Sequence, residues 1–169
     1  LLGSPALYYA LYNNDEEFHD LFKVKADFSS IMDRTPEAEM DYANFIAARC
    51  AEANLPPFNR AAVRQVIEHA SRRVGDQEKL STLFGHITDL VQAAAYWAVE
   101  EGADVVDAQH VIRALDEQRY RSDLFEERSL ENIHREMIFI DTAGEVVGQV
   151  NGLSVVGLGD YEFGQPNRI

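Results

Sequence analysis

Five histidines, a lone cysteine and a few serines are the side chains from which this 169-residue chain could build a reactive centre. His19, His69, His86, His110 and His134 never form His-Glu-x-x-His, the helical spacing that turns two imidazoles toward one zinc ion. Glu131 and His134 make a single Glu-x-x-His, which on a bundle helix supplies half of a carboxylate di-iron site. The other half would be a second such motif and two more inward glutamates, and neither is evident. The pair therefore reads as the solvated face of an acidic helix, and no metal site is expected. Asp15-Glu16-Glu17 and Glu126-Glu127 offer hard oxygens without the spaced ligand loop a calcium ion needs, and read as helix-end and surface charges. Ser29, Ser30, Ser81 and Ser154 each lack a Lys or His at a spacing that would activate the hydroxyl. Cys50 reads as a small buried hydrophobe, with a catalytic thiol as the alternative. Gly157, Gly159 and Gly164 follow a strand, but no Gly-Lys-Ser/Thr helix begins after them, so they read as a glycine-kinked hairpin and not a phosphate loop. Arg72-Arg73 and Arg34 are the best phosphate-facing candidates, with salt bridges to neighbouring acids as the alternative.

Charge narrows the partners further. The formal net charge of -14 opposes a duplex-binding surface and an anionic membrane alike, so neither nucleic acid nor membrane is an expected partner. No apolar run approaches the roughly 20 residues that cross a bilayer. Leu1-Leu2-Gly3-Ser4-Pro5 lacks the basic start of a signal peptide, and a single Cys cannot form an internal disulfide; both fit a cytoplasmic location. The absence of a starting Met suggests a piece of a longer chain.

Those side chains must be held by mostly helical elements. Leu1 to Tyr12 reads as a buried strand running into a helix, Asn13 to Glu17 as a cap with first-turn acids, and Val24 to Phe28 as a short strand. Thr35-Pro36 opens a helix with Met40, Ala43, Phe45, Ile46, Ala47 and Cys50 as its apolar stripe, stopped by Pro56-Pro57. Asn59 caps a second helix with Val63, Val66, Ile67, Ala70 and Val74 on one face and Gly75 at its end. A third runs from about Ser81 to Glu101, with Leu83, Phe84, Ile87, Leu90, Val91, Ala94, Trp97 and Ala98 inward, and Gly102 closes it. Asp107 caps a fourth, whose charged continuation from Arg119 to Glu136 reads as an exposed or bridging helix. From Met137 the pattern alternates. Strands are expected at Met137 to Asp141, Glu145 to Val150 and Leu153 to Leu158, with turns at Thr142-Ala143-Gly144 and Asn151-Gly152. The sheet is expected to be incomplete at Ile169.

This succession resembles the small helical lid of AAA+ ATPases, and three stretches narrow the resemblance to Lon-related proteases close to the archaeal membrane-type group. Leu80-Ser81-Thr82-Leu83-Phe84, continuing to Asp89-Leu90-Val91-Gln92-Ala93-Ala94, is similar to the lid helix that carries that family's sensor-2 arginine. Asp76-Gln77-Glu78-Lys79 leads into it. Val147-Gly148-Gln149-Val150-Asn151-Gly152-Leu153-Ser154-Val155 resembles the Gly-x-Val-Asn-Gly-Leu-Ala-Val run that opens the Lon protease domain.

The resemblance implies a mainly α chain in four parts: the end of an AAA+ α/β core (1–34), the lid (35–118), a linker helix (119–136) and the start of a protease domain (137–169). It implies a parent that uses ATP and Mg to unfold protein substrates and cuts them with a Ser-Lys dyad inside a hexameric ring. The Walker motifs are expected before Leu1 and the dyad after Ile169, so this stretch itself is expected to be inactive and to bind no cofactor alone. Leu83 or Gly85 stands where the relatives place the sensor-2 arginine. Lys23 is the cation nearest the expected arginine finger. No nucleotide-contacting residue is assigned. The rival from another class is a non-enzymatic helical adaptor with a small β-appendage.

Overall fold

Short-range capping decides where most helices begin. In the computed structural model, which describes residues 1–141, 143–159 and 161–169, the Ser4 hydroxyl accepts from the Leu7 N–H and Pro5 opens α1 (Pro5–Asn14). A single turn, α2 (Phe18–Leu21), follows, and a run without helix or strand leads to β1 (Ile31–Asp33). Lys25 ties that run back onto α1, its ammonium over the rings of Tyr8 and Tyr9. Thr35 caps α3 (Pro36–Ala53) through the Ala38 N–H. Asn59 caps α4 (Arg60–Val74) through the Ala62 N–H, and Gly75 ends it in a left-handed conformation at φ 72° that a Cβ would strain. After β2 (Lys79–Ser81) come α5 (Phe84–Glu100) and α6 (Ala108–Ser122), the latter capped by Asp107.

One core joins α3 to α6. Tyr42 and Ile46 of α3, Val66 and Ala70 of α4, Ile87 and Val91 of α5 and Val111 of α6 are buried in it, with Leu80 of β2 beneath. Each such aliphatic side chain contributes about 1.5–3 kcal/mol on burial. Ala94, Ala95 and Ala98 are also buried, and their small size lets α6 lie close along α5. β1 pairs antiparallel with β2 in the register Met32↔Leu80, which fastens Ile31–Asp33 to the helical unit. The Tyr42 hydroxyl donates to the Ser81 carbonyl and pins α3 to the same strand. The starts of α4 and α6 are bound to each other. Val106 N–H donates to the Pro57 carbonyl at 2.8 Å, and Asn59 N–H to the Val106 carbonyl at 3.0 Å. The Asn59 amide donates to the Asp107 carboxylate at 2.9 Å.

Beyond the core, α7 (Leu124–His134) follows Asp123, and β3 (Asn151–Leu158) pairs antiparallel with β4 (Tyr161–Arg168).

Several expectations are corrected by these elements. Leu1 to Tyr12 is no buried strand: Ser4-Pro5 is a helix start, and α1 buries none of its residues. Asn13 and Asn14 end α1, and α2 has no side-chain cap. Val24 to Phe28 forms no strand. Met40 is 61% exposed, and Tyr42 takes its expected place in the core. α3 stops at Asn54, which adopts the left-handed conformation before the prolines are reached. Ser81 belongs to β2 instead of α5, because Lys79–Ser81 is claimed by pairing with β1. The charged continuation of α6 breaks at Asp123 instead of running unbroken to Glu136.

Met137 to Asp141 forms no strand, since the Met137 and Ile138 N–H groups both return to the Asn132 carbonyl at the end of α7. Glu145 to Val150 is interrupted by Gly148 at φ 82°. Asn151-Gly152 is not a turn but the start of β3, with Gly152 opposite Asn167; the chain reverses after Leu158, where Gly159 has φ 69°. Of the expected turn 142–144, Thr142 lies outside the described residues. The closing strand not expected from the sequence is β4.

Candidate functional site

A helix that packs its inner face leaves its outer turns free to carry charge, and α4 does this at its C-terminal end. His69, Arg72 and Arg73 lie three and four residues apart, on one face of the last turns. Burial first, then the charges of Arg73, Arg72 and His86, hold the His69 imidazole far below its ordinary value, at about 4. His86 comes from the first turn of α5, so two helices bring their basic groups to one edge of the molecule. At that edge α5 begins at Leu83 with no side-chain cap and no acid in its first turn. The positive end of the helix therefore adds to the cationic side chains. Such an edge attracts a multiply charged anion.

The other candidates fall into place around it. Arg72 bonds Glu68 at 3.1 Å and stays largely exposed. Arg34 is paired with Glu39 at 2.7 Å, following the salt-bridge alternative. Leu83 occupies the cap position of α5 and Gly85 its first turn. Lys23 pairs with Asp20 at 3.1 Å on an exposed surface. Glu131 pairs with Arg135 at 3.1 Å and His134 is exposed, and among the described residues no group of acidic, His or Cys side chains could hold a metal ion. Asp15 accepts from the Glu17 N–H at 3.0 Å, Glu126 is bonded by Tyr161, and Glu127 is exposed.

Cys50 is buried, which pushes its thiol up and away from reactivity. Ser29 bonds the Ile31 carbonyl at 2.6 Å, Ser30 gives its carbonyl to Thr82, Ser81 accepts from the Leu83 N–H, and Ser154 bonds Asn167. Gly157 and Gly164 lie in the hairpin itself, Gly164 opposite Val155. Arg72 and Arg73 stand out in the sequence as phosphate-facing candidates, whereas His69 and His86 do not. The spacing of His69 to the arginines was available as a signal, whereas the approach of His86 depends on how α4 and α5 pack.

Residues 57–121, from the approach to α4 through nearly all of α6, match a family model described as archaeal LonB, AAA+ ATPase LID domain, and residues 1–29 match one described as LonB-like, AAA domain. The chain belongs to the Lon-related protease family. It is 32% identical over 127 residues to the archaeal Lon protease of Archaeoglobus fulgidus, covering 75% of this chain and 20% of that protein. The archaeal Lon protease of Thermoplasma acidophilum is 34% identical over 127 residues, covering 75% of this chain and 19% of that one. The putative Lon protease homolog of Escherichia coli is 28% identical over 135 residues, covering 79% of this chain and 22% of that one. The chain thus spans about a fifth of the length of these relatives. In this Lon-related chain the stretch matched to the lid holds α4, β2, α5 and nearly all of α6, and the basic edge sits where α4 ends and α5 begins. Among the described residues no helix is long and apolar enough to cross a membrane.

Proposed function

We propose that this chain is the lid and linker of an ATP-dependent serine endopeptidase, coupling nucleotide-driven motion to the degradation of protein substrates. In this reading ATP and Mg bind an AAA+ core to which residues 1–34 belong, and a Ser-Lys dyad outside residues 1–169 cuts the substrate. The assembly is a ring, hexameric, and works in the cytoplasm. The edge carrying His69, Arg72, Arg73 and His86 turns toward the nucleotide phosphates, where Leu83 and Gly85 offer no arginine.

The observation that carries the reading is the continuity of α6. It is buried in the lid core at His110, Val111 and Ala114, leaves the core near Arg119, and hands over at Asp123 to α7, which touches the β3–β4 hairpin. A displacement of the lid therefore has a direct path to the strands that resemble the protease entry. The test is to replace residues 119–136 in the full-length protein with a flexible linker of equal length. ATP turnover is expected to persist while ATP-stimulated proteolysis falls to the unstimulated level. Full ATP-stimulated proteolysis in that variant refutes the coupling role.

A further inference from the structure

A hairpin with little sheet around it should expose most of its side chains, and β3 does: Leu153 is 72% and Val155 71% exposed. Tyr161 and Phe163 of β4 depart from this, at 7% and 5%. Both meet the linker. The Phe163 ring lies 5.9 Å from that of Phe125, and the Tyr161 hydroxyl donates to Glu126 Oε2. That same oxygen lies 3.7 Å from Arg119 Nη2. Guanidinium and hydroxyl thus meet on one carboxylate oxygen, and the three groups form a triangle around it. Ser129, one turn along α7 from Glu126, is buried as well.

The placement of the triangle matters more than its strength. Arg119 is on α6 and Glu126 on α7, so their pair spans the break at Asp123, the one joint in the linker at which motion of α6 could be lost. Tyr161 opens β4 and brings the third element to the same carboxylate. The hairpin does not need that hydroxyl for its own pairing, which runs through eight backbone partners and a further reciprocal pair between Val150 and Ile169. A tyrosine where phenylalanine would satisfy burial therefore calls for another use.

We propose that Arg119, Glu126 and Tyr161 are a latch that stiffens the α6–α7 joint and fixes the hairpin to it, and that lid displacement reaches the hairpin through this contact. This rests on the coupling role proposed above. Glu126 is the pivot, since its carboxylate receives both the cation and the hydroxyl. The three are positioning residues; they touch no substrate.

The test uses Tyr161→Phe and Glu126→Gln in the full-length protein, with three readouts: ATP turnover, cleavage of a short unstructured peptide, and ATP-driven degradation of a folded protein. Tyr161→Phe keeps the ring and removes the hydroxyl. It is expected to leave the first two readouts within about twofold and to lower the third by about fivefold or more, the range of an ordinary coupling between sites. Glu126→Gln, which weakens the contacts to both Tyr161 and Arg119, is expected to lower the third readout at least as far as Tyr161→Phe. Degradation of the folded protein at the wild-type rate by Tyr161→Phe overturns the proposal. So does an equal loss of peptide cleavage, which marks a folding role alone. A wild type whose proteolysis ignores ATP overturns the coupling role instead. The latch is then decided by amide exchange across residues 161–168: exchange roughly tenfold faster in Tyr161→Phe supports it, and unchanged exchange overturns it.

Discussion

Lowering the pH from 7 to 5 asks the His69 imidazole to take a proton in a place built against it. Burial, then Arg73, Arg72 and His86, hold its folded-state value at about 4, against 6.5 in the unfolded chain. Between those values the unfolded state binds a proton that the folded state refuses. The contribution of a neutral His69 is therefore complete above 6.5 and is lost as the pH falls toward 4. The gap corresponds to about 3 kcal/mol at most. Solvent reaching a half-buried ring screens it, which reduces the full loss to roughly 1–2 kcal/mol and the part felt between pH 7 and 5 to about 1 kcal/mol. Urea unfolding followed by fluorescence of Trp97, the single tryptophan, measures it in the wild type and in His69→Gln at both pH values. The other titrating groups are common to both proteins and cancel in the comparison. The wild type should lose about 1 kcal/mol more than His69→Gln. Equal losses would mean that the ring is not confronted by the arginines and His86, and the basic edge would have to be abandoned.

Two substitutions probe the scaffold that holds this edge. Tyr42→Phe removes the donor to the Ser81 carbonyl while keeping the buried ring, and should destabilise the chain by about 1–2 kcal/mol in the same unfolding assay. The hydroxyl that it deletes is pushed up to about 12 by burial, so the wild-type bond should hold through mildly alkaline pH without the loss seen on the acid side. Gly75→Ala places a Cβ at φ 72° where α4 ends and should cost about 1 kcal/mol from backbone strain alone, since nothing stands within contact of the new methyl. A neutral or stabilising effect would show that α4 can end in another way.

The sequence revealed what is decided within a few residues and concealed what is decided across many. Thr35-Pro36, Asn59, Gly75 and Asp107 were legible because each satisfies helix-end groups within its own neighbourhood. β1 and β2 were not, because three-residue strands nearly fifty positions apart carry no period and exist only through pairing. Asn151-Gly152 has the composition of a tight turn, yet partners on β4 and the Ile169 side chain packed over Gly152 hold it in a strand. Met137 to Asp141 shows the opposite failure: the alternation is real, but helix-end hydrogen bonding at Asn132 consumes the N–H groups that a ladder would need. For the basic edge, the arginines could be named from sequence, but their grouping with His86 is a product of helix packing.

The bond between the Asn59 amide and the Asp107 carboxylate has an electrostatic meaning beyond fastening two caps. Helices that start side by side set two positive poles against each other, an arrangement that repels unless an anion sits between them. Asp107 supplies that anion: its carboxylate accepts from Asn59 at the head of α4 and from the Ala108 N–H at the head of α6. Those bonds, Asn59 before Ala108, hold the carboxyl below its ordinary value, so the charge stays in place well into acid. α4 and α6 thus share a single counter-charge and should tilt as one block. Any nucleotide signal received where α4 ends would then reach α6, and the linker that continues from it, as a rotation of the pair.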